Sequence, residues 1–239
     1  MPMVTAMMLV RNEADRYLTR VLEQLRVVAD RIVVLDDAST DSTPELCRAY
    51  GAEVTFAGEA SGFGNEVELR KRCWQLALDT DPDWVLALDA DETLEPGGPE
   101  ALRDALEQLE QLEQQWSSWS DVRFALYDMW SPTHYREDIL WTAHLRSWTL
   151  CVRPWSRRQG AWREQPLHCG RFPSRTAGFG SFTSDIRIQH WGWSRPADRE
   201  AKAARYRALD PEGRWGSAAQ YASILDADPH LVPWEDRRP

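Results

Sequence analysis

Apolar residues in the first hundred positions fall into short continuous runs separated by stretches with helical spacing. Val4–Val10 is apolar almost throughout, has strand length and contains no turn residue. From Asp15 the spacing becomes helical, with Leu18, Val21, Leu22, Leu25 and Val28 on one face. Residues 32–35 predict a second strand, near-continuously apolar as strands buried on both faces of a parallel sheet are. Ser42 or Thr43 is placed to cap a helix with Pro44 at its first position and Glu45 in its first turn. Gly51 closes that helix just after Tyr50. Residues 52–56 predict a third strand, 65–79 a helix, 84–88 a fourth strand and 101–116 an amphipathic helix. Strands alternating with helices point to an α/β chain with a parallel sheet, in the rhythm of a nucleotide-binding half.

From Asp121 the rhythm breaks. Strand-like pieces at 122–127, 145–152 and 186–189 alternate with loops rich in Trp, Pro, Arg and His. They predict an antiparallel or mixed extension that completes one side of a cleft. Pro196–Leu209 is a last helix, opened by Ser194 as cap, and the tail 226–239 is expected to pack over the surface through Leu231 and Trp234. The expectation is one domain over 1–239, with halves 1–120 and 121–239.

The charge balance narrows the function classes. With 28 basic and 38 acidic residues the net charge is −10, which argues against a general nucleic-acid binder. It does not exclude anionic substrates, because a bound divalent cation can reverse the local field. No apolar run approaches the ~18 residues of a membrane span, and the N-terminus lacks the basic-then-apolar order of a signal peptide. A cytoplasmic protein is the expectation. Cys47, Cys73, Cys151 and Cys169 form no CxxC pair and read as reduced, buried thiols. The 13 tryptophans lie from Trp74 onward and read as bulky core or as aromatic platforms for a sugar.

Candidate chemistry sits where the strands end. Glu13 follows the first, Asp36-Asp37 the second and Asp89-Ala90-Asp91 the fourth. Ends of parallel strands share one edge of the sheet, where ligands bind in α/β folds. Any one cluster could be turn chemistry, since Asp and Ser stabilise turns; three in the order of one cleft favour a ligand. Glu92-Thr93 and then Pro96-Gly97-Gly98-Pro99 supply the break after the fourth strand. Hard oxygen ligands at such a turn suit Mg²⁺ or Mn²⁺ and, through the metal, a diphosphate. The glycine-rich stretch 58–64 has neither GxGxxG nor GK[ST] and carries little specific signal.

Met8-Leu9-Val10-Arg11-Asn12-Glu13, residues 33–43 and Leu88-Asp89-Ala90-Asp91-Glu92 together resemble, in spacing and order, the signature of family-2 glycosyltransferases of the GT-A fold. The resemblance implies a mixed, mostly parallel sheet flanked by helices, with an antiparallel C-terminal extension. It implies a nucleotide-sugar donor, a hydroxyl acceptor (glycan, lipid-linked or small molecule) and Mn²⁺ or Mg²⁺. By it, 1–120 is the nucleotide-binding half and 121–239 the acceptor side. Leu9, Arg11 and Glu13 with Asp36 or Asp37 would hold the nucleoside. Asp89 and Ala90 would meet the ribose or a metal-bound water, and Asp91 would ligate the metal. The stretch around His190 resembles the late strand whose histidine completes the metal site in several GT-A enzymes, and imidazole suits Mn²⁺ better than Mg²⁺.

Family-2 enzymes generally invert, so a carboxylate across the sugar is expected to take the acceptor proton. Glu164, Asp128 and Glu137-Asp138 are candidates, with Glu164 preferred because it lies between tryptophans and His168. A rival reading takes residues 86–94 as the nucleophile loop of a haloacid-dehalogenase-type phosphatase. That chemistry needs a downstream lysine and an acidic pair, and after Thr93 the chain offers only Lys202 and no adjacent Asp pair. A non-catalytic nucleotide- or carbohydrate-binding module is the other alternative, and peripheral membrane contact stays open.

Overall fold

The computed structural model describes residues 1–113, 119–176 and 178–237. Its main sheet has eight strands in the order β3-β2-β1-β4-β8-β6-β9-β5. These are β1 (Val4–Val10), β2 (Arg31–Asp36), β3 (Glu53–Phe56), β4 (Trp84–Ala87), β5 (Glu92–Leu94), β6 (Trp119–Asp128), β8 (Ser147–Val152) and β9 (Gly180–His190). Two further strands, β7 (His134–Arg136) and β10 (Leu231–Pro233), pair antiparallel beside it. β1 is parallel to both β2 and β4, and β2 to β3. β8 then runs antiparallel to β4 and to β6, β6 is parallel to β9, and β5 is antiparallel to β9.

The continuous apolar runs of β1, β2 and β4 are continuous because both faces are covered. Val4, Ala6, Met8 and Val10 join Val34 and Leu86 in a core with α1 (Leu18–Val28) and α4 (Gly98–Glu113). Met7, Leu9, Val33, Leu35, Val85 and Ala87 point the other way, onto Leu69, Cys73, Trp74 and Ala77 of α3 (Glu66–Leu78). Successive residues of a strand face opposite sides, so an unbroken apolar run serves two helical layers. The five apolar positions of α1 are all fully buried, each worth roughly 1.5–3 kcal/mol of hydrophobic burial.

Local details differ from the sequence reading in physically clear ways. The helix expected to run to Trp116 is seen as α4, and its last residues lie outside those described. At α2 (Thr43–Ala49) neither Ser42 nor Thr43 caps the helix; Asp41 Oδ1 accepts from Thr43 N instead, at 3.0 Å. At α5 (Pro196–Leu209) the flanking residue is Arg195, and Ser194 is occupied 2.7 Å from the Tyr17 hydroxyl. The stretch after Asp91, expected only as a break, resumes as β5 because Glu92 and Leu94 pair with His190 and Ile188 of β9. In the tail, Trp234 packs edge-on against Tyr127 at 5.2 Å, whereas Leu231 is partly exposed. The four cysteines are buried and free.

Candidate active site

A cleft of about 660 Å³ opens at the carboxyl ends of β1 and β4. Leu9, Arg11, Glu13, Asp89, Ala90 and Asp91 line one side, and Asp128, His190, Trp193 and Lys202 face them. Trp141, Trp148, Leu150 and Tyr206 form an apolar and aromatic wall. A second cavity, about 750 Å³, lies around Trp155, Arg157, Arg158 and Trp162. None of the sequence-predicted site residues lines it, so the strand-end cleft is the candidate site.

The turn after β4 is built to present its acids. Asp89 O accepts from Glu92 N at 3.0 Å, and Asp89 N donates to Glu92 Oε2 at 3.0 Å. Glu92, 1% exposed, is in turn clamped by Arg171, which donates to it at 2.5 and 2.6 Å and to Ala87 O at 3.0 Å. Asp89 lies between two guanidinium groups, 2.9 Å from Arg70 and 3.0 Å from Arg171. Burial pushes the Asp89 carboxyl up, but Arg171 and Arg70 outweigh it and hold it below its ordinary range.

Asp91 has a different set of neighbours, and sheet register brings them. Pairing of Glu92 with His190 sets the acid turn beside the end of β9, and Trp191 N donates to Asp91 O at 2.7 Å. Asp91 Oδ2 is 3.5 Å from His190 Nε2 and 3.2 Å from Lys202 Nζ. Burial raises the Asp91 carboxyl; Lys202 and His190 overcome this and hold it well below the usual carboxylate range. Burial and Lys202 press the His190 imidazole down, yet Asp91 and Asp128 hold it up at about 10. Asp128 Oδ1 is 2.8 Å from His190 Nδ1 and accepts from Trp193 Nε1 at 3.0 Å. Glu13 completes the group: Oε1 accepts from Arg16 at 3.0 Å, while buried Oε2 has no hydrogen-bond partner among the described residues. Burial, opposed by Arg16, pushes this carboxyl up to about 7.

Five sequence-predicted residues do not line the cleft: Asp36, Asp37, Glu164, and the alternative candidates Glu137 and Asp138, which lie 3.1 Å from His144 and 2.7 Å from Arg136. Asp36 and Asp37 are fully buried and support loops. Asp36 accepts from Ser39 N at 3.0 Å, and Asp37 accepts from Gly62 N at 2.7 Å and Ser61 Oγ at 2.5 Å. Glu164 faces solvent, its side chain 63% exposed and 2.9 Å from Lys71. Its neighbour Gln165 turns the segment by donating to Leu167 O and His168 O, at 2.6 and 2.8 Å. Lys202, Arg70 and Arg171 were not singled out by sequence. The arginines are too numerous to stand out, but a lysine as rare as Lys202 was a signal.

The sequence profile described as Glycosyl transferase family 2 matches residues 5–144, more than half of the chain. The chain belongs to that family. Among curated relatives of this family-2 chain, a TPR repeat-containing protein of Synechococcus elongatus is 36% identical over 108 residues, 45% of this chain and 25% of that protein. An uncharacterized glycosyltransferase of Rickettsia prowazekii is 27% identical over 107 residues, 45% of this chain and 32% of that protein. An uncharacterized Mycobacterium tuberculosis protein is 24% identical across 90% of this chain and 52% of its own length. The chain thus spans from a quarter to about half of these relatives. The mannosyltransferase PcManGT of Pyrobaculum calidifontis, solved with GDP-Man and Mn²⁺, superposes with TM-score 0.54 at 16% identity, over 96% of this chain and 66% of that one. S. aureus TarS 1–349 gives 0.53 at 18% identity, over 93% and 69%. At such identities the likeness shows the fold, and the fold is GT-A.

PcManGT was solved with Mn²⁺, which makes the donor set here the next question. Among the described residues no group of three or more His, Cys, Asp or Glu side chains is arranged to hold such an ion. Asp91 and His190 do come together, but the Lys202 ammonium stands 3.2 and 3.3 Å from them. With that charge in place the pair does not fit a resident divalent cation. Among the described residues no helix is long and apolar enough to cross a membrane.

Proposed function

We propose that this chain transfers a glycosyl group from a nucleotide-diphosphate sugar to an acceptor hydroxyl, by direct displacement with inversion. The observation that carries this reading is the charged turn of Asp89 and Asp91 at the carboxyl end of β4, set in a cleft of about 660 Å³ in a family-2 chain. Solved neighbours of the same fold hold UDP or GDP-Man, which supports a donor of this class.

Each part of the cleft has a task in the reading. Leu9, Arg11 and Phe63 form its end beside β1 and α3, suited to a nucleoside. Asp89, fixed between Arg70 and Arg171, offers a held carboxylate to a ribose hydroxyl. Trp141, Trp148 and Tyr206 give the acceptor an aromatic surface of the kind that packs on the apolar face of a sugar ring. Inversion requires a proton acceptor on the side away from the leaving group. Glu164 is turned away from the cleft, whereas Asp128 lines it with Oδ1 engaged by His190 and Trp193. Asp128 Oδ2 is therefore the oxygen we assign to the acceptor hydroxyl.

A thermal-shift screen of nucleotide-sugars, followed by donor hydrolysis or transfer assays, tests the reading, because a bound donor stabilises the fold by mass action. One nucleotide-sugar is expected to stabilise the protein and to be turned over. Asp91→Asn is expected to lower turnover by about a hundredfold, the size of effect that misplacing a charged group at a reacting centre has, because Asp91 Oδ2 holds the Lys202 ammonium at 3.2 Å. Binding without turnover would identify a non-catalytic module instead.

A further inference from the structure

Of the 28 basic residues in this chain only Lys71 and Lys202 are lysine. Lys71 lies toward the surface between Glu68 and Glu164, 2.8 and 2.9 Å away. Lys202 projects from α5 into the cleft, with Nζ 3.2 Å from Asp91 Oδ2 and 3.3 Å from His190 Nε2. The same ammonium is 4.3 Å from the centre of the Trp193 ring. A lysine ammonium is a compact point charge on a flexible stem, where arginine presents a broad planar fork. The chain uses arginine almost everywhere else and places its compact cation in the cleft, beside Asp91 and His190.

The backbone makes room for that cation. A Cβ on Gly192 would lie 2.0 Å from Lys202 Nζ, 2.1 Å from Asp91 Oδ2 and 2.9 Å from His190 Nε2. Any side chain there would fill the slot. The missing Cβ of Gly192 and the reach of Lys202 from a separate helix thus meet at one point, beside the acid that sequence alone assigns to a metal.

We propose that the Lys202 ammonium is the cleft's own cation. It meets the donor diphosphate and the charge that develops on it, so that donor binding and transfer need no divalent ion. The proposal rests on the transferase reading above. In the step, the bond from the anomeric carbon to the diphosphate oxygen breaks and its electron pair leaves with the diphosphate. The acceptor oxygen bonds to the same carbon, and its proton passes to Asp128. Lys202 keeps its proton throughout, and the negative charge gained by the leaving diphosphate falls on a cation already in position. Such preorganised charge costs no solvent rearrangement during the reaction. Asp91 Oδ2, 3.2 Å away, positions the ammonium.

The test is calorimetric titration of the intact protein with UDP, GDP, ADP, CDP and dTDP and with the corresponding monophosphates. Each is run in excess EDTA and again in excess Mn²⁺. The expected result is that one diphosphate binds in EDTA with an affinity that Mn²⁺ changes by less than about twofold. Lys202→Met is expected to weaken that diphosphate by about tenfold or more, the size of a lost charge-assisted hydrogen bond, while the matching monophosphate changes by less than about twofold. Wild-type binding that requires Mn²⁺ overturns the role of Lys202 and leaves the transferase reading standing. A loss shared equally by the monophosphate also overturns it. Failure of every diphosphate under both conditions overturns both readings.

Discussion

The two halves of the chain bring charges of mainly opposite sign to the cleft. Glu13, Asp89 and Asp91 come from the ends of β1 and β4, in the half built from parallel strands and helices. Arg171, His190 and Lys202 come from the second half and neutralise the acid turn. Stability and chemistry at the site are divided along the same line. The first half folds around continuous apolar strands whose carboxyl ends carry these acids. Arg16 of the first half answers Glu13, and the second half supplies the counter-charges of Asp91 and Glu92 and one of the two at Asp89. Arg70, from α3, is the one partner of Asp89 that the first half provides.

The largest disruption of this complementarity is expected from Arg171→Met. It leaves Glu92, 1% exposed, without the guanidinium that clamps it and removes one of the two arginines at Asp89. Stability in urea unfolding is expected to fall by about 3 kcal/mol, in the range for an orphaned buried charge. An intermediate effect separates the halves by pH. Glu13 has its carboxyl raised from 4.5 to about 7 by burial, so the folded state binds a proton more tightly than the unfolded chain. Its contribution is fully present below about pH 4.5 and is lost as pH rises through about 7. Glu13→Gln is expected to remove that decline, giving a flatter melting-temperature profile between those pH values and a gain over wild type near pH 8. The smallest effect is expected for Glu164→Gln, at an exposed ion pair worth little: transfer activity within about twofold of wild type. A large activity loss there would return the proton-accepting role to Glu164.

Legibility in the sequence follows the same division. β1, β2 and β4 could be read because strands buried on both faces are apolar at every position, and the acids at their ends then fell into one order. Asp91 and His190, expected to meet, lie 3.5 Å apart, since a motif at each end of one β-ladder encodes their approach. What could not be read depends on contacts between distant segments. Glu92 looked like the end of an acidic turn, and only the pairing of β5 with β9 buries it against Arg171. Asp36 and Asp37 looked like ligand groups, and the loop amides and hydroxyls they hold are spread from Ser39 to Gly62. Trp84, Trp130 and Trp191 joined the core, 7% exposed or less, while Trp141 and Trp193, also buried, and Trp148 at 41% line the cleft. Composition alone cannot separate those two uses of an aromatic ring.

The scarcity of lysine has a practical side. Amine-reactive reagents have only two side-chain targets on this chain, one facing solvent and one deep in the cleft. The first acts as an internal reference for reagent exposure and the second as a gauge of occupancy. Mass-spectrometric footprinting can therefore follow what enters the cleft, at one atom and with no engineered probe.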